Sequence, residues 1–488
     1  MPELGASVAV TSAVVDATGT TPVPQRAVIV LPSTGEFDSR TYRIATTLVS
    51  RGHEVTVLAR RLSGTAEVED HPAGYRILRV EASTADGLPF PRVRNVVRRV
   101  LVKRRQVVAR AASSATAAGA GGGNGAAGGS SASTAAGTSL DGDPTSVTVP
   151  SARRASAPRR AMNGLIRRMA IPLTIRSHVR RARLVAPAAD LYHGMAFMGI
   201  PVALDLGRRH RAKVVYDARD IYLEARNLAR MRGPMRGLLA RQERGWAHAA
   251  DRVMTVNQAY AEVMAERLRV PLPVIVMNCS YRFDPPVPRE RRFHDALGLD
   301  AAKRVVLYHG GLFPERGIEQ LMDAIRDVSS AVLVLMGYGV LEPMLRERAA
   351  DPAAEGRIRL LPPVPPDELL EWVACADVVA MPIQPSTLNH RLTTPNKLFE
   401  AMAAGVPVVA SDLPGMATIV RSTQCGLLCD PADPASIATA LQAILDAPDE
   451  ERLAYGRRGL EASHTEYSWE RQAGILLAEY GRLTGRPW

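Results

Sequence analysis

The chain has little cysteine, few aromatic residues and no long apolar run. Its four cysteines, Cys279, Cys375, Cys425 and Cys429, are too few and too scattered for a disulfide framework, so we expect buried thiols in a reducing cytoplasm. A metal held by Cys425 and Cys429 is the alternative, although no further ligands lie near them in the sequence. Because no run of about 20 apolar residues occurs, we expect no membrane-spanning helix. The start of the chain also lacks the basic and then apolar pattern of a signal peptide.

Acidic residues are almost absent from one part of the chain. Residues 92–183 contain 18 Lys or Arg and only two acids, so this segment carries +16 and the rest of the chain −4 of the net +12. Residues 111–138 have no charged residue and are almost entirely Ala, Gly, Ser and Thr. Such a composition cannot bury a core, which predicts a disordered basic insertion with a low-complexity linker over 111–158. We also predict a disordered N-terminus over 1–25.

Two basic segments, 92–110 and 159–183, flank the linker. Both mix arginine with apolar residues at helical spacing, although Pro172 is expected to interrupt the second. Basic amphipathic helices suit an anionic membrane surface, which predicts a peripheral position at the inner face of the plasma membrane. A helix packed on its own domain with solvated arginines is the alternative. Nucleic acid is not expected as a partner, because the segments lack interleaved aromatic residues and a reading motif.

The 488 residues are too many for one typical core and favour two domains. In the N-terminal half, residues 27–32 and 54–59 read as strands around a helix over 40–50, and residues 190–224 resume the sheet after the insertion. Ligands bind at the carboxyl ends of parallel strands, which makes three residues candidates there: His193, Arg219 and Asp220. The alternatives are a backbone-bonded His193 and a mutual surface ion pair between Arg219 and Asp220.

The C-terminal half begins with a strand, a glycine-rich loop and a helix start over residues 305–319. Gly310 and Gly311 let the backbone approach a ligand closely, and Arg316 follows as a cation, or as a mere surface charge. Further strands over 332–336, 357–361 and 377–382 alternate with helices, as a Rossmann-like domain requires.

Residues 393–412 form the most informative segment, which reads as a loop, a short helix and a buried strand over 406–410. Thr394 is expected to cap the helix and Gly405 to end it. The helix amino end and Lys397 suit phosphate oxygens. Glu400 lies about 6 Å further along the axis from Asn396, at about 1.5 Å per residue, where it would accept ribose hydroxyls. The alternative is an ordinary amphipathic helix with a solvated lysine and glutamate.

This segment resembles the donor motif of the family-4 retaining glycosyltransferases, in the branch with Pro-x-Lys-x-x-Glu before Met-Ala-x-Gly-x-Pro-Val-Val. The resemblance extends from about residue 26 to the C-terminus outside the insertion. It implies the α/β fold called GT-B, in which two Rossmann-like domains face a cleft. The implied domains are an acceptor domain over 26–285, a donor domain over 286–466 and a helix over 467–488 that crosses back to the acceptor domain.

The resemblance implies transfer of a sugar from a nucleotide-diphosphate sugar, of UDP or GDP type, to a glycan or lipid-linked acceptor. Cell-envelope or exopolysaccharide synthesis is the expected setting, with no cofactor and no obligatory metal, since no Asp-x-Asp motif lies near the donor segment. The implied catalytic residues are Arg219, Asp220, Arg316 and Lys397. The implied substrate contacts are His193, Gly310, Gly311, Arg316, Thr394, Asn396, Lys397, Leu398 and Glu400.

The sequence departs from the family pattern at three places. Arg219 stands where relatives carry a histidine, Gly311 where an arginine is common, and Leu392 where a sugar-binding glutamate lies eight residues before Glu400. The residues that contact the sugar are therefore unassigned. The candidates, which could also be plain loop residues, are Asn389, His390, Arg391 and Thr393. Two other functions stay open: a GT-B nucleotide-sugar epimerase and a catalytically silent membrane-associated scaffold.

Overall fold

The computed structural model describes residues 23–36, 38–62, 64–84, 86, 157–229, 231 and 233–488, and the side chains within these ranges except 157–169, 226 and 227. The predicted N-terminal segment 1–25 lies outside the described residues up to residue 22. The basic segment 92–110 and residues 111–156 of the predicted linker lie outside them as well.

Two parallel sheets form the two halves of the molecule. The N-terminal sheet has the order β3-β4-β2-β1-β5-β6-β7-β8, and only β3 runs antiparallel to its neighbour. Its strands are β1 Arg26–Val30, β2 Glu54–Arg60, β3 Val68–Asp70, β4 Arg76–Val80, β5 Leu191–Met195, β6 Lys213–Asp217, β7 Arg252–Thr255 and β8 Val274–Ile275. The strand order reverses between β1 and β5, which defines a crevice at their carboxyl ends.

The C-terminal sheet is parallel throughout, with the order β11-β10-β9-β12-β13-β14. Its strands are β9 Arg304–Gly311, β10 Ala331–Tyr338, β11 Ile358–Leu361, β12 Val378–Met381, β13 Val408–Ser411 and β14 Gly426–Cys429. The order reverses between β9 and β12, so the Rossmann-type crevice lies where β9 ends. Both predicted Rossmann-like domains are therefore confirmed.

Helices cover both faces of each sheet, which explains why most strands are buried along their whole length. In the N-terminal half the helices are Ser39–Ser50, Ala157–Val185, Ala196–His210, Arg226–Ala229, Pro234–Ala249 and Gln258–Leu268. In the C-terminal half they are Arg292–Leu297, Ile318–Ala324, Glu342–Ala350, Leu369–Ala374, Leu388–Leu392, Asn396–Ala403, Pro414–Thr423, Pro434–Leu445, Asp449–Thr465 and Trp469–Thr484. Short 3₁₀ turns are Tyr222–Glu224, Ile325–Asp327 and Pro352–Ala354.

The helix Ala157–Val185 contains the second basic segment and continues through Pro172. The prediction that this proline interrupts the segment is wrong, and residues 157 and 158 of the predicted linker lie in this helix. A proline removes one helical hydrogen bond, but tertiary packing supplies most of the stability of a protein helix. Here Ile175 and Ala182 belong to two apolar clusters of the N-terminal domain, which hold the part of the helix that follows Pro172.

The last helix, Trp469–Thr484, packs on the N-terminal sheet although it follows the C-terminal domain. Trp469, Leu476 and Tyr480 lie in one apolar cluster with Ile29 of β1. The Trp469 Nε1–H also donates to Thr47 Oγ1 at 2.8 Å. The chain end therefore ties the two halves together.

Candidate functional site

The helix Asn396–Ala403 begins at the carboxyl edge of the C-terminal sheet. Its N-cap position is Pro395, which provides no side-chain cap, and Ala404 ends it before Gly405 at a φ of +63°. The prediction that Thr394 caps this helix is therefore wrong, because the Thr394 hydroxyl instead accepts from Asn257 Nδ2 at 3.3 Å. An uncapped amino end leaves backbone N–H groups free for an anion.

The inner face of this helix explains its position. Leu398, Phe399 and Met402 are buried in the main apolar cluster of the C-terminal domain. Leu398 is fully buried, so we assign it to packing rather than to substrate contact. The strand that follows runs over Val408–Ser411, two residues later at its start than predicted.

Lys397 points over the ring of Tyr308, with its Nζ 3.7 Å from the ring centroid. Burial, and then the charge of Arg316, lower the pKa of Lys397 to about 7 against the opposing charge of Glu400. Arg316, from the loop after β9, lies near enough to influence Lys397 and Tyr308 but makes no ion pair among the described residues. Lys397 and Arg316 thus lie close together, and neither forms an ion pair with a carboxylate among the described residues. Two such cations suit the oxygens of a phosphate group.

Glu400 is 8 % exposed and faces residues of both domains. Its Oε2 lies 3.6 Å from Nδ1 of His309, the residue before Gly310. Burial lowers the pKa of His309 to about 3, so this imidazole is neutral at physiological pH. Burial also raises the pKa of Glu400, against the charges of Arg43 and Lys397. No hydrogen bond reaches this carboxylate from the described part of the chain, which leaves it available as an acceptor for hydroxyl groups.

The glycine-rich segment keeps the end of β9 open. Gly310 has a φ of +99° and nothing lies within 4 Å of where its Cβ would be, while a Cβ on Gly337 would lie 1.9 Å from the Gly310 carbonyl oxygen. Gly317, with a φ of +74°, lies against the Pro382 backbone. A Cβ on Gly311 would lie 2.6 Å from the Phe313 ring. Because His309 contacts Glu400, the open backbone at Gly310 lies beside the helix Asn396–Ala403.

The N-terminal domain reaches the same helix end through a polar contact. Asn396 Oδ1 accepts from Asn278 Nδ2 at 2.8 Å, and Asn396 Nδ2 donates to Ser39 Oγ at 3.2 Å. Arg43, one turn after Ser39, donates to Asn278 Oδ1 at 2.8 Å and faces Glu400 electrostatically. Residues of the N-terminal domain thus contact the amino end of the helix Asn396–Ala403.

The loop between β12 and this helix crosses the cleft. Asn389 is 7 % exposed, and its Oδ1 accepts from the Ile221 N–H at 2.9 Å and from the Tyr260 hydroxyl at 2.8 Å. Its Nδ2 donates to Asp220 Oδ1 at 3.0 Å. Leu392 packs against the N-terminal apolar cluster, which explains why an apolar residue occupies this position. Asn389 is therefore a contact between domains rather than a free group for sugar.

Arg219 and Asp220 lie on the N-terminal side of the cleft but do not pair with each other. Arg219 Nη1 donates to Asp38 Oδ2 at 2.6 Å, and Asp38 caps the helix Ser39–Ser50 by accepting from Thr41 N. Burial raises the pKa of Asp38, but the charge of Arg219 and the bond from Thr41 outweigh it and hold that pKa below its ordinary value. Asp220 is exposed beside Asn389. Arg219 is already neutralised, which weakens its predicted role at a phosphate.

His193 is fully buried and belongs to a chain of side-chain hydrogen bonds. Its Nε2–H donates to Asp217 Oδ2 at 3.0 Å, and its Nδ1 accepts from the Tyr480 hydroxyl at 2.6 Å. Asp217 also accepts two bonds from Arg40, at 2.6 and 3.1 Å, and the charge of Arg40 and the bond from His193 keep its pKa below the ordinary value despite burial. With both ring nitrogens satisfied, His193 cannot bind substrate here, and we reassign it to positioning.

Sequence reasoning missed the residues that complete the site from a distance. Arg43, Asn278 and Ser39 lie on other elements than Glu400 and Asn396, and no local pattern marks them. His309 is the exception, because its place directly before Gly310 at the end of a predicted strand could have indicated a residue of the site.

Among the residues that the structure describes, no group of three or more His, Cys, Asp or Glu is placed to hold a metal ion. All four cysteines are buried and unpaired. Within the same described ranges, no helix has the length and apolar character needed to cross a membrane.

The two facing Rossmann-like domains have the GT-B fold, as the solved structures similar to this chain establish. Sucrose-phosphate synthase from Thermosynechococcus elongatus aligns over 94% of this chain and 99% of its own, with 16% identity and a TM-score of 0.63. HepE from Anabaena, in complex with UDP and glucose, aligns over 94% and 100% with 15% identity and a TM-score of 0.58. The fold prediction is confirmed.

Sequence comparison narrows the class of the C-terminal domain. Residues 303–447 match the family model described as "Glycosyl transferases group 1". A D-inositol 3-phosphate glycosyltransferase of Xylanimonas cellulosilytica is 30% identical over 213 residues, which is 42% of this chain and 49% of the relative. The one from Rhodococcus opacus is 32% identical over 199 residues, 38% and 43% of the two chains. The chain thus spans less than half the length of these curated relatives.

Proposed function

We propose that the protein is a retaining glycosyltransferase that moves a sugar from a nucleotide-diphosphate sugar, of UDP or GDP type, to a glycan or lipid-linked acceptor. The observation that carries the proposal is the position of Lys397, Arg316 and Glu400 around the amino end of one uncapped helix. Two cations and a buried, unbonded carboxylate at that spacing match the diphosphate and the ribose of a single nucleotide.

The diphosphate would occupy the space between the Gly310–Gly311 loop and the helix Asn396–Ala403. Lys397 Nζ is held over the Tyr308 ring, which fixes its direction. Arg316 approaches from the loop after β9, and the free N–H groups of the helix complete the set of donors. As the bond from the sugar to the phosphate breaks, negative charge grows on the leaving group, and these donors stabilise it.

The ribose hydroxyls would donate to Glu400. Burial raises the pKa of this carboxyl against the charges of Arg43 and Lys397, and its oxygens would accept the hydrogen bonds from the hydroxyls. Arg43 belongs to the N-terminal domain, and ribose binding would therefore depend on domain closure. The Asn396–Ser39–Asn278 contact holds that closed arrangement.

The acceptor hydroxyl would attack the anomeric carbon from the face from which the leaving group departs, which retains the configuration there. Its proton would pass to the departing phosphate oxygen as the bond between that oxygen and the sugar breaks. This front-side reaction needs no strong protein base, and charge stabilisation by side chains needs no obligatory metal. Asp220 and the Arg219–Asp38 pair would border the acceptor side of the cleft. Support comes from HepE, a neighbour in fold whose structures contain UDP and glucose or UDP-glucose, and from curated relatives with a glycosyltransferase name.

A position at the inner membrane face, with a role in cell-envelope or exopolysaccharide synthesis, is part of this proposal. Arg176, Arg180 and Arg183 are exposed along one side of the helix Ala157–Val185, at helical spacing. Arg183 is paired with Asp205. Because salt screens the attraction between exposed arginines and anionic lipid, the proposal predicts binding to anionic vesicles that weakens as the salt concentration rises.

The test is thermal unfolding with UDP, GDP, ADP, dTDP and CMP, on the wild type and on Glu400→Ala and Lys397→Ala. A ligand at about 100 times its Kd adds about 2.7 kcal/mol to the free energy of unfolding. One nucleoside diphosphate should stabilise the wild type and neither variant. If no nucleotide stabilises the wild type, the donor site is refuted, and the hypothesis of a catalytically silent membrane-associated scaffold is favoured. Release of free sugar without any acceptor product would favour an epimerase.

A further inference from the structure

Arg60, the last residue of β2, carries a partly buried guanidinium with no acidic partner. Its Nη2 donates to the Ala82 carbonyl at 3.2 Å. Its Nε is buried and has no hydrogen-bond partner, and no carboxylate within the described ranges pairs with it. Burial lowers the pKa of Arg60. A positive charge withdrawn from water without compensation is unfavourable, and a bound anion would supply the compensation.

His178 provides a second, independent observation at the same place. It is 0 % exposed, and neither of its ring nitrogens has a hydrogen-bond partner. Burial, and then the charge of Arg60, lower its pKa to about 3. The imidazole is therefore neutral and offers one unused N–H donor. Buried polar groups in proteins are normally hydrogen-bonded, so this pair of free nitrogens needs an explanation.

Two hydrogen bonds and an electrostatic interaction place the two side chains near each other. Ser177, next to His178, accepts at its Oγ from the Ser83 N–H at 3.2 Å. The Arg60 guanidinium contacts Ala82, and the helix Ala157–Val185 contacts the next residue, Ser83. The Arg60 N–H also donates to the Ser33 carbonyl at 2.8 Å, and the Ser33 hydroxyl is another buried group without a partner.

Ser33 follows β1, Arg60 ends β2 and its partner Ala82 follows β4, so the groups meet at the carboxyl edge of the sheet, where open α/β sheets bind ligands. We propose that Arg60, His178 and Ser33 form a binding site for a phosphate group carried by the acceptor. This rests on the proposed function and adds the substrate class to it. Donors that approach from three different elements suit a tetrahedral phosphate better than a planar carboxylate, and an arginine gives two parallel bonds to it.

The test separates this site from the donor site by filling the donor site first. Protein saturated with UDP is titrated with inorganic phosphate at constant ionic strength, by calorimetry and by thermal unfolding. The wild type should bind phosphate, and Arg60→Gln should bind it at least about tenfold more weakly, the loss expected for a charged bond. Arg60→Lys should be intermediate because it keeps the charge and loses the paired geometry.

Arg61→Gln is the matched control. Arg61 is adjacent in sequence and partly exposed, and it already pairs with Glu67 at 3.0 Å, so this variant should bind phosphate as the wild type does. Circular dichroism checks that each variant is folded, and UDP affinity should be unchanged in all of them. Glycerol phosphate and vesicles with phosphatidic acid then distinguish a small phosphorylated acceptor from a lipid headgroup.

Two results would overturn the site: no phosphate binding to the UDP-loaded wild type, or equal binding to the wild type and Arg60→Gln. Either result leaves the donor site intact, because UDP binding is measured in the same samples. Failure of UDP to bind would instead refute the proposed function, and the phosphate titration would still report on Arg60.

Discussion

Replacement of Asn389 by alanine is expected to release the loop that crosses the cleft. The variant leaves the buried Ile221 N–H without its acceptor at 2.9 Å and removes the bond to Asp220. The Tyr260 hydroxyl keeps a partner, because it also donates to the backbone oxygen of residue 389 at 2.8 Å. An unsatisfied buried N–H costs about 1–3 kcal/mol and a typical hydrogen bond contributes about 0.5–1.5 kcal/mol. We therefore expect a loss of at least about 2 kcal/mol at this contact, or a change of at least about 30-fold in its opening equilibrium.

Amide hydrogen exchange of the helix Leu388–Leu392 measures this opening. A helix of five residues does not persist without tertiary contacts, so its amides report release of the loop, and their protection should fall by at least about 30-fold. The Arg391 N–H is the best reporter, since it bonds Thr387 and no part of Asn389.

Gln258→Ala provides the matched control for Asn389→Ala. Gln258 carries the same amide on the helix that contains Tyr260, but it is exposed and bonds Glu262 on that same helix. Protection of the Leu388–Leu392 amides should not change in this variant. Equal exchange in Asn389→Ala and Gln258→Ala would refute the reasoning that Asn389 holds the two domains together.

Three further predictions concern pH and backbone. Burial raises the pKa of Glu243 to about 7 in the folded state, from 4.5; folding therefore favours its neutral form, and up to about 3 kcal/mol of stability is present below pH 4.5 and lost as pH rises through 7. Glu243→Gln should remove this dependence in denaturant unfolding. Since Lys397 has a pKa of about 7, UDP affinity should fall above that pH, by at most about tenfold per unit, and Lys397→Arg should abolish the fall. Gly317→Ala should lower the thermal midpoint strongly, because its Cβ would lie 1.8 Å from the Pro382 oxygen.

Each of these has a contrary outcome. Wild-type stability that does not decline between pH 4.5 and 7 relative to Glu243→Gln would contradict a neutral buried carboxyl. Parallel pH profiles of UDP binding in the wild type and Lys397→Arg would show that another group titrates. Gly474→Ala serves as the control for Gly317→Ala, since nothing lies within 4 Å of its Cβ and alanine favours a helix; equal midpoints in these two variants would rule out the proposed clash.

The fold could be predicted because its signals are local. Short apolar runs such as Val305–Leu307, followed by glycine and then a helical pattern, indicate parallel strands with covered faces whatever the rest of the chain does. Lys397 and Glu400 were also predictable, because one helix fixes their spacing.

The role of a side chain could not be predicted where it bonds a residue that is distant in the sequence. Thr394 has the residue type of a cap but bonds Asn257 of the other domain. His193 ends a strand as a ligand-binding residue would, yet Asp217 and Tyr480 occupy both of its nitrogens. Tyr480 lies 287 positions away, and no pattern in a single sequence relates residues at that distance.

The sequence by itself determined the two Rossmann-like units and the helix with its lysine and glutamate, since these follow from periodicity, glycine and charge along short stretches. Tertiary structure decided which charges remain unmet. Arg219 is neutralised by Asp38, whereas Arg316 and Arg60 have no acidic partner among the described residues. That difference depends on which elements the fold brings within about 4 Å of each guanidinium, and it separates structural cations from those left for a ligand.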